Sequence, residues 1–118
     1  MQKFDIHKNI NKAQTLHSDY YTDEAIFNNS IEKIFLSSWQ FFSHIKQIKN
    51  RISPITFMPD LISEPLILTK DKNEIHCISN VCTHRAHMVC TNSKNSKLLT
   101  CRYHGRTFNL NGDLKNAP

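Results

Sequence analysis

Two thiols and two imidazoles stand at short spacings in the second half of this chain, in Cys82-Thr83-His84 and again in Cys101-Arg102-Tyr103-His104. Written as a pattern, this is C-x-H-x16-C-x2-H. Each half offers one thiolate and one neutral imidazole, ligand types that suit transition metals. In an extended segment the i, i+2 spacing of Cys82 and His84 turns both side chains to one face. Two such loops can grip a rhombic Fe₂S₂ unit from opposite sides, with Cys82 and Cys101 on one iron and His84 and His104 on the other. A structural Cys₂His₂ zinc site uses the same residue types, but commonly takes a Cys pair from one turn and a His pair from another. The diiron reading fits the pattern better, and zinc stands as the alternative.

Ligand charge sets what such a centre would do. Neutral imidazoles in place of two anionic thiolates make an added electron less unfavourable and direct it to the histidine-bound iron. Mixed Cys/His centres span about −150 to +300 mV, against about −400 mV for all-cysteine plant-type clusters. The outer imidazole nitrogens can also exchange protons and offer hydrogen bonds to a partner, so they are the expected exit for the electron. The expected chemistry is one-electron transfer.

The remaining sulfur and imidazole groups have plainer readings. Cys77 is expected in a strand as a small buried residue. Cys90 follows the first loop, and neither its partner nor its reactivity is legible. His7, His17, His44 and His76 read as ordinary polar residues, whereas His87, on the ligand loop itself, is placed to pack over the centre or hydrogen-bond to it.

Size and composition narrow the setting. A chain of 118 residues has room for one domain, with a core burying roughly two-thirds of the unfolded surface. Its 39% hydrophobic and 21% charged content suits a soluble globular protein, and no run approaches the roughly 18 to 20 apolar residues of a membrane span. The opening Met1-Gln2-Lys3-Phe4-Asp5-Ile6-His7-Lys8 lacks the unbroken hydrophobic region of a signal peptide. The net charge of +5 could attract nucleic acid, but the lysines are scattered, so no nucleic-acid partner is expected, nor a membrane. A basic face could instead steer an acidic electron-transfer partner. Four cysteines without an export signal favour metal ligation over a disulfide framework, and with it a reducing compartment, the cytoplasm.

The elements that must position these residues can be sketched. Residues 1–17 are polar and aperiodic, and an extended or loosely ordered arm is expected. From Thr22, read as a cap, Asp23 and Glu24 open a first turn, and Phe27, Ile31, Ile34 and Phe35 recur at helical spacing, giving a helix over about 23–36. The aromatic run Trp39-Gln40-Phe41-Phe42-Ser43-His44 reads as a strand. Pro54, Pro59 and Pro65 break the middle into short extended pieces. Leu66-Ile67-Leu68-Thr69 passes through the turn Lys70-Asp71-Lys72-Asn73 into Ile75-His76-Cys77-Ile78, a hairpin. Leu98-Leu99-Thr100 is a further strand, and Thr107-Phe108-Asn109-Leu110 meets the hairpin signal Asn111-Gly112.

With Asn80-Val81-Cys82-Thr83-His84-Arg85 and Cys101-Arg102-Tyr103-His104-Gly105-Arg106-Thr107-Phe108 on the page, the chain resembles the N-terminal part of the α (terminal oxygenase) subunit of Rieske non-heme iron aromatic-ring-hydroxylating oxygenases. The segments Tyr20-Tyr21-Thr22-Asp23 through Trp39-Gln40 and Asn111-Gly112-Asp113-Leu114-Lys115-Asn116-Ala117-Pro118 are similar to that family's lead-in and post-cluster hairpin. The resemblance implies a mainly β fold, a Rieske-type antiparallel β domain (ISP domain) with an N-terminal helical arm. It places the arm and helix at 1–36 and the Rieske [2Fe-2S] domain at 37–118. The family continues with further strands, so the chain is expected to be truncated at its C-terminus.

The resemblance also implies a function. In the family the cluster takes an electron from a ferredoxin or reductase and passes it to a mononuclear iron, usually in the neighbouring subunit of a homo-trimer. There oxygen is activated, in mono- or dioxygenase chemistry. That Fe(II) is held by a two-histidine, one-carboxylate triad in a separate catalytic domain, which this chain lacks, so the chain alone is expected to carry electrons and hydroxylate nothing. A stand-alone Rieske-type ferredoxin is the alternative, disfavoured by the helical lead-in through Trp39. Cytochrome-complex Rieske proteins carry an extra cysteine in each loop, whereas His87 stands at the first-loop position here. Two departures bear on the site. Ala86 stands where glycine is usual, so a backbone angle that glycine adopts freely must suit a Cβ. Arg106 stands where Trp is commoner, putting a positive charge near the cluster's exposed edge.

Overall fold

Short apolar segments on either side of a polar turn build the central ladder. The computed structural model describes residues 6–118. In it β1 (Ile52–Phe57), β2 (Glu64–Asp71) and β3 (Glu74–Ser79) form an antiparallel sheet in that order. The expected hairpin is β2–β3, with Ile67 opposite Ile78, but its turn is tighter than the sequence suggests. Lys70 and Asp71 pair with Ile75 and Glu74, leaving Lys72-Asn73 to reverse the chain, with Lys72 at φ +51°. Pro54 lies inside β1 instead of breaking it. Because β1 is an edge strand of this sheet, a proline there need not remove a ladder bond. Pro65 is the second residue of β2, and Pro59 falls in the connection, where Met58, Asp60 and Ser63 all take positive φ.

A second antiparallel sheet holds β4 (Leu99–Thr100), β5 (Thr107–Phe108) and β6 (Leu114–Asn116). The Asn111-Gly112 hairpin forms as expected, through a loop over 109–113 that is closed by Asn109 N–H donating to Asp113 O and Gly112 N–H to Asn109 O. Gly112 takes φ +96°, a value that side-chain-bearing residues rarely adopt.

One core joins the two sheets. Ile52, Ile67, Val89, Leu99, Phe108 and Leu110 are buried together with Cys82, Cys90 and Cys101. In β2 the run Ile67-Leu68-Thr69 is buried throughout, so this central strand is covered on both faces. The Thr69 hydroxyl donates to the Leu110 carbonyl, which satisfies a buried polar group while tying β2 to the loop after β5.

The described residues divide into two compact units, within Met1–Phe42 and Ser43–Pro118. In the first, the expected single helix is corrected. A short α1 (Asp19–Thr22) ends at Thr22, and Asp23, not Thr22, caps α2 (Glu24–Ser30) by accepting from Ile26 N–H at 2.9 Å. Asp23 has the extended backbone a cap requires (φ −85°, ψ 122°), whereas the Thr22 hydroxyl turns back to Ser18 O. Beyond α2 the chain widens into a π-helical turn over Ile31–Phe35. The expected strand over 39–44 is also corrected. Trp39 and Phe41 are exposed and belong to no ladder, and His44 instead caps a 3₁₀ turn, Ile45–Gln47, by accepting from Lys46 N–H. Aromatic β-propensity is a packing preference, and without a neighbouring strand it has nothing to act on. Of the arm over 1–17, residues 1–5 lie outside the described residues; the rest is irregular apart from a 3₁₀ turn at Ile10–Lys12. Among the described residues no helix is long and apolar enough to cross a membrane.

Candidate metal centre

The two motif loops are built alike. In the first, Ala86 N–H donates to Cys82 O at 3.0 Å and Cys82 N–H to His87 O at 2.9 Å. In the second, Gly105 N–H donates to Cys101 O at 3.0 Å and Cys101 N–H to Arg106 O at 2.9 Å. Each loop is therefore a tight turn that opens on its cysteine and turns back through a left-handed residue, Ala86 at φ +53° and Gly105 at φ +76°. The angle expected at Ala86 is present, at the steric cost that a Cβ carries in this region.

The sheets bring the loops together. The first leaves the end of β3 and the second joins β4 to β5, and the packed cores of both sheets hold them side by side. Cys82 and Cys101 are buried, with the Cys82 side chain beside the Cys101 thiol. The His84 and His104 rings meet edge to face with centroids 4.7 Å apart, and both residues are exposed. Thus the four motif residues gather as a buried sulfur pair and an exposed imidazole pair. Among the described residues no three Cys, His, Asp or Glu side chains cluster as they would around one ion.

Local electrostatics prepare the ligand forms. Burial pushes the Cys101 thiol up, but the amides of Tyr103 and His104, the Cys82 side chain and the Arg106 charge together bring it below its ordinary value. Desolvation, then the charges of His104, Arg106 and Arg85, lower the His84 pKa and favour the neutral imidazole. Metals take thiolate and neutral imidazole, so the donor set fits a centre with two anionic and two neutral protein ligands.

Other groups are settled by their neighbours. His87 directs Nδ1 at the Met88 carbonyl, 2.7 Å away, and stacks at a tilt on Tyr103 with centroids 5.5 Å apart. Cys90 is buried with its thiol donating to Asn92 O. Cys77, expected to be buried, is exposed: β3 is an edge strand, and Cys77 sits on the face opposite Ile78. Arg106 reaches across to the first loop, donating from Nη1 to Thr83 Oγ1 at 3.1 Å.

The sequence reading missed Asn80 as a supporting residue. It is fully buried, and its amide donates to Cys90 O at 2.7 Å and accepts from Cys90 N–H at 2.8 Å, clamping the neck of the first loop. A polar side chain between strand residues and a cysteine was the available signal, but its partner ten residues on is visible only in the fold. Asn80→Ala strands two buried backbone groups, each costing about 1–3 kcal/mol. Urea unfolding of the metal-loaded chain is expected to show a loss of about 2–6 kcal/mol; a loss under about 1 kcal/mol would show that the clamp is dispensable.

Comparison with known proteins follows the same residues. A family model described as the Rieske [2Fe-2S] domain matches residues 38–118. Choline monooxygenase of Beta vulgaris is 32% identical over 105 residues, covering 89% of this chain and 23% of that protein. The carnitine monooxygenase oxygenase subunit of Escherichia coli strain K12 is 30% identical, covering 92% of this chain and 29% of that protein. The α subunit of biphenyl 2,3-dioxygenase from Rhodococcus jostii is 36% identical over 83% of this chain and 21% of its own length. Among solved structures, the apo form of the quaternary ammonium Rieske monooxygenase CntA superposes with a TM-score of 0.71 at 31% identity, over 89% of this chain and 31% of that one. The chain thus spans between a fifth and a third of the length of these relatives.

Proposed function

The chain belongs to the Rieske [2Fe-2S] domain family, and on that premise we propose that Cys82 and Cys101 hold one iron of the cluster and His84 and His104 the other. The observation that carries this reading is the pairing of two buried sulfurs with two exposed imidazoles, drawn from two loops of the same construction. When bound, the cluster supplies one-electron exchange in the Rieske potential range, toward its lower end in the absence of a loop disulfide. The protein's part is spatial and electrostatic. Its core keeps water from the sulfurs, the amides of Tyr103 and His104 stabilise the charge on Cys101, and its exposed imidazole edges offer the contact through which an electron leaves.

We place the Rieske domain at 37–118, with 1–36 as its arm, and infer that it forms the electron-entry portion of an oxygenase α subunit. The whole subunit would take electrons from a ferredoxin or reductase and deliver them to a mononuclear iron in a catalytic domain outside this chain. The oxygenase relatives support this reading over a stand-alone ferredoxin. A homo-trimer is our reading for the full-length protein, and inter-subunit electron transfer in a structurally similar quaternary ammonium Rieske monooxygenase supports an assembly of several subunits. All four cysteines are free, which suits a reducing compartment such as the cytoplasm.

The test is metal and sulfide analysis with EPR of the dithionite-reduced protein after anaerobic reconstitution. Two irons and two sulfides with a mixed Cys/His signal are expected. Zinc without iron or sulfide would sink the assignment.

A further inference from the structure

The two loops are each closed on themselves, and nothing in those backbone bonds sets the distance between them. Among the described residues, the Cys82 side chain lies beside the Cys101 thiol, and a side-chain hydrogen bond runs from one loop to the other, from Arg106 Nη1 to Thr83 Oγ1 at 3.1 Å. The role of this bond rests on the ligand assignment above. Once both sulfurs bind iron, the Arg106 bond is the hydrogen bond left to tie protein to protein across the site.

We propose that Arg106 is the positioning residue of the centre, latching the second ligand loop to the first through Thr83 and fixing a positive charge between them. The geometry suits it. Thr83 lies between the two motif residues of its loop, Arg106 follows His104 by two, and Arg106 is half-buried, so packing limits its freedom. Its planar fork holds a direction that a lysine ammonium does not. Positions 75–112, which include both ligand loops, contain no Asp or Glu, so neither loop carries its own carboxylate to pair with Arg106. A cation held there stabilises whichever redox state carries more negative charge, the reduced one, and so raises the midpoint potential.

The latch and the charge can be separated in the full chain. After reconstitution with iron and sulfide, Thr83→Val keeps the charge and removes the acceptor. It is expected to leave the potential unchanged while cluster loss to a chelator becomes several-fold faster. Arg106→Gln loses charge and reach, and is expected to lower the potential as well as speed cluster loss. Arg106→Lys is expected to hold the potential near that of the parent and lose the cluster faster. Parent-like potential in Arg106→Gln, with parent-like retention in all three variants, would overturn the proposal. A second arm uses the iron-free chain, oxidised with diamide, with the Cys82–Cys101 disulfide peptide followed by mass spectrometry. Its rate of formation is expected to fall several-fold in Thr83→Val and Arg106→Gln. If the parent takes up no cluster but this rate falls, the ligand assignment fails and the latch stands. If the cluster loads normally and neither rate nor retention moves, the latch fails and the assignment stands.

Discussion

Cys101→Ser is expected to abolish uptake of iron and sulfide, while Cys90→Ser leaves both in place. The contrast is sharp because both cysteines are buried in the same core, at 2% and 4% exposure, so burial alone does not distinguish them. Their surroundings do. The Cys101 sulfur receives the amides of Tyr103 and His104 and faces Cys82, whereas the Cys90 thiol is taken up by the Asn92 carbonyl, to which it donates. Serine is nearly the same size as cysteine, so the loop should persist while the soft anionic ligand is lost. Iron and acid-labile sulfide per chain, measured after identical anaerobic reconstitution, decide it. Equal loading of both variants would mean that Cys101 is not a ligand.

The second large effect concerns charge. His104→Cys places an anionic thiolate where a neutral imidazole stands, and any cluster that survives is expected to drop toward the all-cysteine value near about −400 mV, a fall on the order of hundreds of millivolts. The EPR signal should move toward that of four-cysteine ligation at the same time. The substitution is favourable for a readout because His104 is exposed, so the change does not empty the core. An unaltered potential and spectrum would remove His104 from the ligand set.

His104 also shows how much of the site was legible beforehand. Its spacing from Cys101, and that of His84 from Cys82, are local facts, and the structure brings both pairs to one place. The β2–β3 and β5–β6 hairpins were equally legible, because short apolar segments and turn residues act over a few positions. The failures share a cause. Trp39 to Phe42 had strand propensity without a partner strand, Thr22 and Asp23 competed for one cap, and the burial of Cys77 depended on which sheet edge it faced.

Residue types and short spacings alone thus determined the chemistry available here: two sulfurs, two imidazoles and the tight turns that present them. Only the tertiary structure decided which groups support them. Asn80 clamping Cys90 and Arg106 reaching Thr83, 23 residues away, arise where separate strands pack. Local patterns report the energy of a few adjacent dihedrals and side chains. Contacts across long separations instead form only when the whole ladder and core have offset the entropy of closing the chain between them.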